Sequence, residues 1–140
     1  MLQEQFNEFI DIDTSNQEIA KNSVIKVVSL ISHNFTNDFD SSTGYIKIII
    51  LITEIIKEVE NLSTIYHKLS GNDKKQIAIH LGYLVLLDIY KSNPDIFKSY
   101  ITIYKEQVGP MLEMMIGLSK VVNITNPQLE KKINNCCPCF

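Results

Sequence analysis

Leu69–Tyr90 reads LSGNDKKQIAIHLGYLVLLDIY, and this stretch decides the fold. Wound as a helix, it sets Leu81, Leu84, Val85 and Ile89 on one side and Ile79, Tyr83, Leu86, Leu87 and Tyr90 on the other. A helix that is apolar on both sides has to lie between neighbours rather than on a surface. Ser70 or Asn72 can cap its start, and Asn93-Pro94 closes its far end. The expectation is a central helix over 72–92, with Leu84 and Leu86 both buried.

The segments on either side repeat the helical period. Before it, Tyr45, Ile48, Ile49, Ile52, Ile55, Ile56, Val59 and Leu62 make one broad apolar face, which Tyr66 and Leu69 extend. Many of these residues are β-branched, yet the 3.6-residue period outlasts any strand, so the segment reads as a helix over 44–69 capped by Thr43. Further upstream, Ala20, Val24, Val27, Val28, Ile31 and Phe35 form a stripe opposite Asn22, Lys26, Ser29 and His33. That is an amphipathic helix over 15–34, opened by the capping-box pattern Ser15 to Glu18. Between these two helices NFTNDFDSSTG (34–44) is a loop, from which Phe35 and Phe39 are expected to fold back onto the core. Leu2, Phe6, Phe9 and Ile10 share a face and predict a short N-terminal helix.

After the central helix, Asn93-Pro94-Asp95 places cap and proline in the order that starts a helix. Phe97, Tyr100, Ile101, Tyr104 and Val108 define its face, and the phase continues without slipping to Met111, Met115, Leu118 and Val122. Pro110 removes a hydrogen bond to the Glu106 carbonyl, so residues 94–122 are expected to form one helix kinked at Pro110. Four long helices with short connections predict an all-α antiparallel bundle. It spans 1–126 as a single domain, followed by a flexible cysteine-rich tail over 127–140.

At 140 residues, 45% of them hydrophobic, the chain can bury a sizeable core. Its net charge is −3, and all 13 basic side chains are lysines. Arginine provides the planar fork that grips phosphates and guanines, so its absence argues against nucleic acid as a partner. Met1-Leu2-Gln3-Glu4 does not resemble a signal peptide, and the apolar runs are too short to cross a bilayer. The expected location is the cytoplasm or the cytoplasmic face of a membrane.

Few residues invite chemistry. Glu54 and Glu58 lie one turn apart, but no histidine follows a carboxylate at the spacing a di-metal bundle needs, so they read as a solvated face with Lys57. His80 reads as a core histidine with a hydrogen-bond partner. Gly71, Lys74 and Lys75 lack the spacing of a phosphate loop and read as a helix start. Met111, Met114 and Met115 read as core filler. No nucleophile has a His/Asp constellation, so neither an enzyme nor a cofactor is expected.

The tail differs. Cys136, Cys137 and Cys139 stand in the last five residues of a chain otherwise free of cysteine. Cys137-Pro-Cys-Phe140 has the length of a prenylation box, though cysteine is atypical at its third position. Alternatively, two or more of these cysteines are S-acylated, and two chains anchor where one binds only reversibly. Thiolates also bind soft metal ions, or cross-link chains under oxidising conditions. An unmodified tail is the fourth reading.

L-S-G-x-x-K-K at 69–75 ahead of a long apolar helix, and Pro110–Lys120 leading to a cysteine-rich end, resemble small helical proteins of large DNA viruses. The resemblance implies a helical fold with membrane or virion association and no particular activity. Together these readings predict a non-enzymatic helical interaction or scaffold protein, tethered to a membrane through lipid on Cys136, Cys137 and Cys139. A protein partner is expected as well as the membrane. The alternative is a soluble ligand-binding or metal-handling bundle, which would need a cavity lined by convergent polar groups such as His80.

Overall fold

The computed structural model describes residue 9 and residues 11–36, 38–66 and 68–125, with side chains as far as Met114. Among the described residues four α-helices follow one another: α1 (Thr14–Ile31), α2 (Ser41–Ile65), α3 (Gly71–Ile89) and α4 (Pro94–Thr125). A single 3-10 turn, Ser32–Asn34, closes α1. The described residues contain no strand. The expected N-terminal helix, apart from Phe9 and Asp11, lies outside the described residues, as does the tail from residue 126.

Local chemistry sets the helix starts. At α3 a capping box forms: Ser70 Oγ accepts from the Asp73 N–H, and the Asp73 carboxylate accepts from the Ser70 N–H, both at 3.0 Å. Two of the orphan donors of the first turn are thereby satisfied. Asp40, not Thr43, caps α2, with its Oδ1 accepting from the Ser42 N–H at 2.9 Å. The box expected at Ser15 does not form. Instead α1 begins at Thr14, and Gln17 reaches back to donate to the Ile12 carbonyl at 2.7 Å.

Short connections make consecutive helices antiparallel, as the contacts confirm. Along the α3–α4 pair, Tyr83 meets Phe97 while Lys75 meets Glu113, so the two chains run in opposite directions. α1 and α3 run the same way: Asn16 bonds Asp73 and Gln76, and Val24 shares a groove with Leu84 and Leu87. This register brings Ala20 and Ala78, both fully buried, to the same level, where small side chains let the two helices approach closely.

The core joins Ile48, Leu51, Ile52 and Ile55 of α2 to Ile77, Leu81, Val85 and Leu86 of α3, and to Tyr100, Ile101 and Tyr104 of α4. At one end Tyr100 is wholly buried among aromatic rings. Phe35 and Phe39 meet it edge-on at 5.2 and 5.0 Å, and Tyr90 stacks on it at 5.3 Å. The Tyr90 hydroxyl donates to the Thr36 carbonyl at 2.8 Å, and so ties down the loop from which both phenylalanines fold back. Burial pushes the Tyr90 hydroxyl pKa well above the usual phenol range, with Tyr100 adding to the shift. It stays protonated and able to donate.

The central placement of α3 is correct in part. Leu86 is fully buried, but Leu84 is only half-buried and Leu87 is exposed, because α1 covers one flank of α3 incompletely. Residues 90–92 form a turn rather than a last helical turn, and α2 stops at Ile65, which leaves Tyr66 exposed. α4 is continuous through Pro110, which sits on the exposed side, where a missing donor costs least.

One contact between α3 and α4 admits no side chain. At Gly82 an added Cβ would coincide with the hydroxyl and Cζ of Tyr104. The Tyr104 hydroxyl uses this opening to donate to the Ala78 carbonyl at 2.8 Å, inside a fully buried site that drives its pKa far upward. Replacing Gly82 with alanine should therefore cost about 1–3 kcal/mol by overpacking, although alanine is the better helix former by roughly 1 kcal/mol. In a Tyr104→Leu background the same change should be neutral or stabilising. Urea unfolding of the four chains checks this coupling, and an equal cost in both backgrounds would contradict it.

Candidate functional site

The buried polar groups lie between helices, and their partners define what they do. Asn16 is 3% exposed and spends both amide hydrogens, on Asp73 Oδ1 at 3.1 Å and Gln76 Oε1 at 2.9 Å. The Asp73 carboxyl is held below the usual carboxylate range, first by the Ser70 backbone N–H and then by Asn16. Glu58 is 7% exposed and faces α1. There Ser23 Oγ donates to its Oε1 at 3.4 Å, and Lys26 Nζ lies 2.7 Å from its Oε2. The solvated-face reading of the Glu54–Glu58 pair is thus half corrected. Glu54 pairs with Lys57 at 3.2 Å as expected, but Glu58 is buried in the α1–α2 seam, because Ser23 is small and Lys26 reaches in from the rim.

His80 is a satisfied core histidine. Its Nδ1 bonds the Phe9 carbonyl, which can only accept, so Nδ1 carries the proton. Phe9 is 1% exposed and stacks on Tyr83 at 5.4 Å, and its ring also meets Tyr104, so Phe9 itself is fastened onto α3 and α4. Burial lowers the His80 pKa, and the bond to Phe9 opposes that shift without cancelling it. Lys74 and Lys75 are occupied by Glu60 and Glu113 at 3.5 and 3.6 Å, in agreement with a helix start rather than a phosphate site.

Two surface grooves are bounded by described residues. One, of about 410 Å³, is bounded by Asn16, Ile19, Tyr66, Leu69 and Asp73. The other, of about 370 Å³, lies between α1 and α3 over Val24, Leu84 and Leu87, with Lys21, Asp88 and Lys91 at its rim. Neither of these two includes His80. Among the described residues no group of His, Cys, Asp and Glu has metal-binding geometry, and no helix is long and apolar enough to cross a membrane.

The outer face of α2 shows what the sequence reading missed. Tyr45, Ile46 and Ile49 are 44%, 59% and 44% exposed, and their spacing makes them neighbours on the helix surface. The helical period alone puts Tyr45 and Ile49 on the buried face. The buried face of α2, which includes Ile48, Leu51, Ile52, Ile55, Ile56, Glu58, Val59 and Leu62, is turned toward Leu51 and Glu58 and away from Ile49, and Tyr45 emerges near the start of the helix. Met114 is likewise exposed, at 58%, rather than core filler, while Met111 is half-buried and the side chain of Met115 lies outside the described set. Cys136, Cys137 and Cys139 also lie outside the described residues.

Compared with known proteins, the chain matches no family model, no curated protein and no solved structure.

His80 generates a pH dependence whose sign follows from the lowered pKa. The unfolded chain takes up a proton near pH 6.5, whereas the fold resists it, so acidification through that value favours unfolding. The stabilisation is complete above pH 6.5 and is lost as pH falls through the lower, folded value. His80→Gln keeps a donor for Phe9 without the titration. Thermal melts at pH 7.5 and 5.5 should show a smaller loss of stability for this variant than for the wild type. Equal losses would show that His80 does not titrate in this window.

Proposed function

We propose that this protein is a non-enzymatic helical interaction module, held at a membrane surface by lipid on the cysteines of its C-terminal tail. The observation that carries the interaction half is the contrast between inside and outside. Asn16, Ser23, Glu58, His80 and Tyr104 are all committed to contacts between structural elements. Meanwhile Tyr45, Ile46 and Ile49 stand exposed on one helix. Exposed isoleucine gains no burial and has below-average helix propensity, so a cluster of such residues points to a partner that covers them.

The sequence supports the tether. Polar Asn134-Asn135 separates Cys136, Cys137 and Cys139 from the last apolar residue before them, Ile133, and Pro138 cannot sit in a helix interior. Lipid-transfer enzymes act on an extended peptide, and two acyl chains at about 0.8 kcal/mol per buried methylene hold a protein firmly.

The test uses three full-length chains produced in the native cell: the wild type, a Cys136/Cys137/Cys139→Ser triple variant, and Ile46→Asp/Ile49→Asp. The triple variant should fold normally and move from the membrane fraction to the soluble one. The Ile46/Ile49 variant should stay with the membrane and leave the larger complexes that the wild type occupies after gentle extraction. Wild-type protein found wholly in the soluble fraction would reject the tether. An unchanged complex size for the Ile46/Ile49 variant would reject that face as the contact.

A further inference from the structure

Between its two ends the outer face of α2 carries no charge. Ser42, Tyr45, Ile46, Ile49, Ile50 and Thr53 fall within about 140° of the helix surface. Tyr45, Ile46 and Ile49 are exposed, and Ile50 and Thr53 are half-buried. The two charged residues in this part of the helix are engaged elsewhere. Lys47 Nζ reaches the Tyr100 hydroxyl, and Glu54 pairs with Lys57. Even the hydroxyls of the face need no outside acceptor. Ser42 Oγ donates to Asp40 Oδ1, and Thr53 Oγ1 to the Ile49 carbonyl, both at 2.8 Å.

Charge returns at the two ends with opposite sign. At the start Asp40 is exposed, and its carboxylate lies against Ser42. At the far end Lys57 is exposed one turn beyond Thr53. Its ion pair with Glu54 is a surface pair within one helix, which holds the side chain only weakly. The face therefore offers an apolar centre with an anion at one end and a cation at the other.

That pattern separates the occupants. An anionic membrane would be repelled at the start of the helix, where Asp38 and Asp40 are both exposed. A second copy laid parallel would oppose Asp40 to Asp40 and Lys57 to Lys57. A second copy laid antiparallel reverses this. Midway between Asp40 and Lys57 lies the Ile48–Ile49 step, inside the apolar patch. A two-fold axis there brings the isoleucines of both copies together and sets each Asp40 level with a Lys57, twice over. We propose that α2 pairs with α2 of a second copy of this chain, antiparallel about a two-fold axis beside Ile49. The proposal rests on the reading of this face as an interaction surface and names its partner. Three exposed side chains from each copy make a small contact, so the dimer forms in solution at about tens of micromolar.

The probe is the full-length Cys136/Cys137/Cys139→Ser chain made in bacteria, followed by sedimentation equilibrium across a wide concentration range. A monomer–dimer equilibrium is expected. Ile46→Asp/Ile49→Asp should weaken it by about tenfold or more, and Lys57→Glu by a few fold, with a smaller effect at high salt. Single cysteines placed in the same background read the orientation. Ile49→Cys lies beside the axis and should give a disulfide-linked dimer on oxidation. Ser42→Cys should not, because an antiparallel pair holds the two copies of that position roughly 20 Å apart, at 1.5 Å per residue.

Self-linking by Ser42→Cys as readily as by Ile49→Cys would mean a parallel pair and overturn the proposal. So would a dimer that Ile46→Asp/Ile49→Asp leaves intact, or a lowered thermal midpoint of that variant in dilute solution, which would show that the face packs internally. A chain monomeric at every concentration, whose Ile46/Ile49 variant still leaves the larger complexes of the native cell, would sink the second copy and keep the face as a contact for another protein. A dimer abolished by the variant, with complexes in the cell unchanged in size, would support the pairing and remove this face from those complexes.

Discussion

The bundle depends on how closely α3 and α4 approach at Gly82. A tyrosine hydroxyl buried without a partner would cost on the order of 1–3 kcal/mol. Tyr104 avoids this by lying across the backbone of α3, where the absence of a Cβ at Gly82 opens a path to the Ala78 carbonyl. Once that ring is seated, the height and rotation of α4 against α3 are fixed. Phe9 then has Tyr104 and Tyr83 to pack on, and His80, one turn after Gln76, holds the Phe9 carbonyl. Gln76 and Asp73, further back on the same helix, hold Asn16 of α1. One helix thus positions α4, α1 and Phe9.

The buried polar contacts give the apolar core its register. Apolar packing alone tolerates sliding by a turn, since leucine and isoleucine fill similar spaces. Asn16 on Asp73 and Gln76 and Ser23 with Lys26 on Glu58 do not tolerate it, because a slip would leave a buried carboxylate or amide without its partner. Tyr100 performs the same service at the opposite end, through Lys47 and the aromatic rings around it.

Much of this was legible in the sequence, and the failures have physical causes. Helical period, proline position and short connections were enough for an all-α bundle with four long helices, and for a last helix unbroken at Pro110. Ser70 was readable as a cap, and Phe35 and Phe39 as residues that turn back to the core. Periodicity could not say how wide each buried stripe is, so Leu84, Tyr45, Ile49 and Met114 were assigned more burial than their neighbours supply. Glu58 was read as solvated because carboxylates usually are, and its partners Ser23 and Lys26 are more than thirty positions away in sequence. Gly82 was the available signal that went unused. A lone glycine inside a long apolar helix costs roughly 1 kcal/mol against alanine, and so marks a position where something must come close.

The proposed tether carries the functional account, because it would decide where the exposed face of α2 is presented. The most direct measurement is the intact mass of the protein isolated from its native cell, followed by peptide mapping of the C-terminal segment. The account predicts a mass above the 16.0 kDa of the bare chain, with the excess located on Cys136, Cys137 or Cys139 as prenyl or acyl groups. A mass equal to that of the bare chain, with all three thiols free, would contradict it.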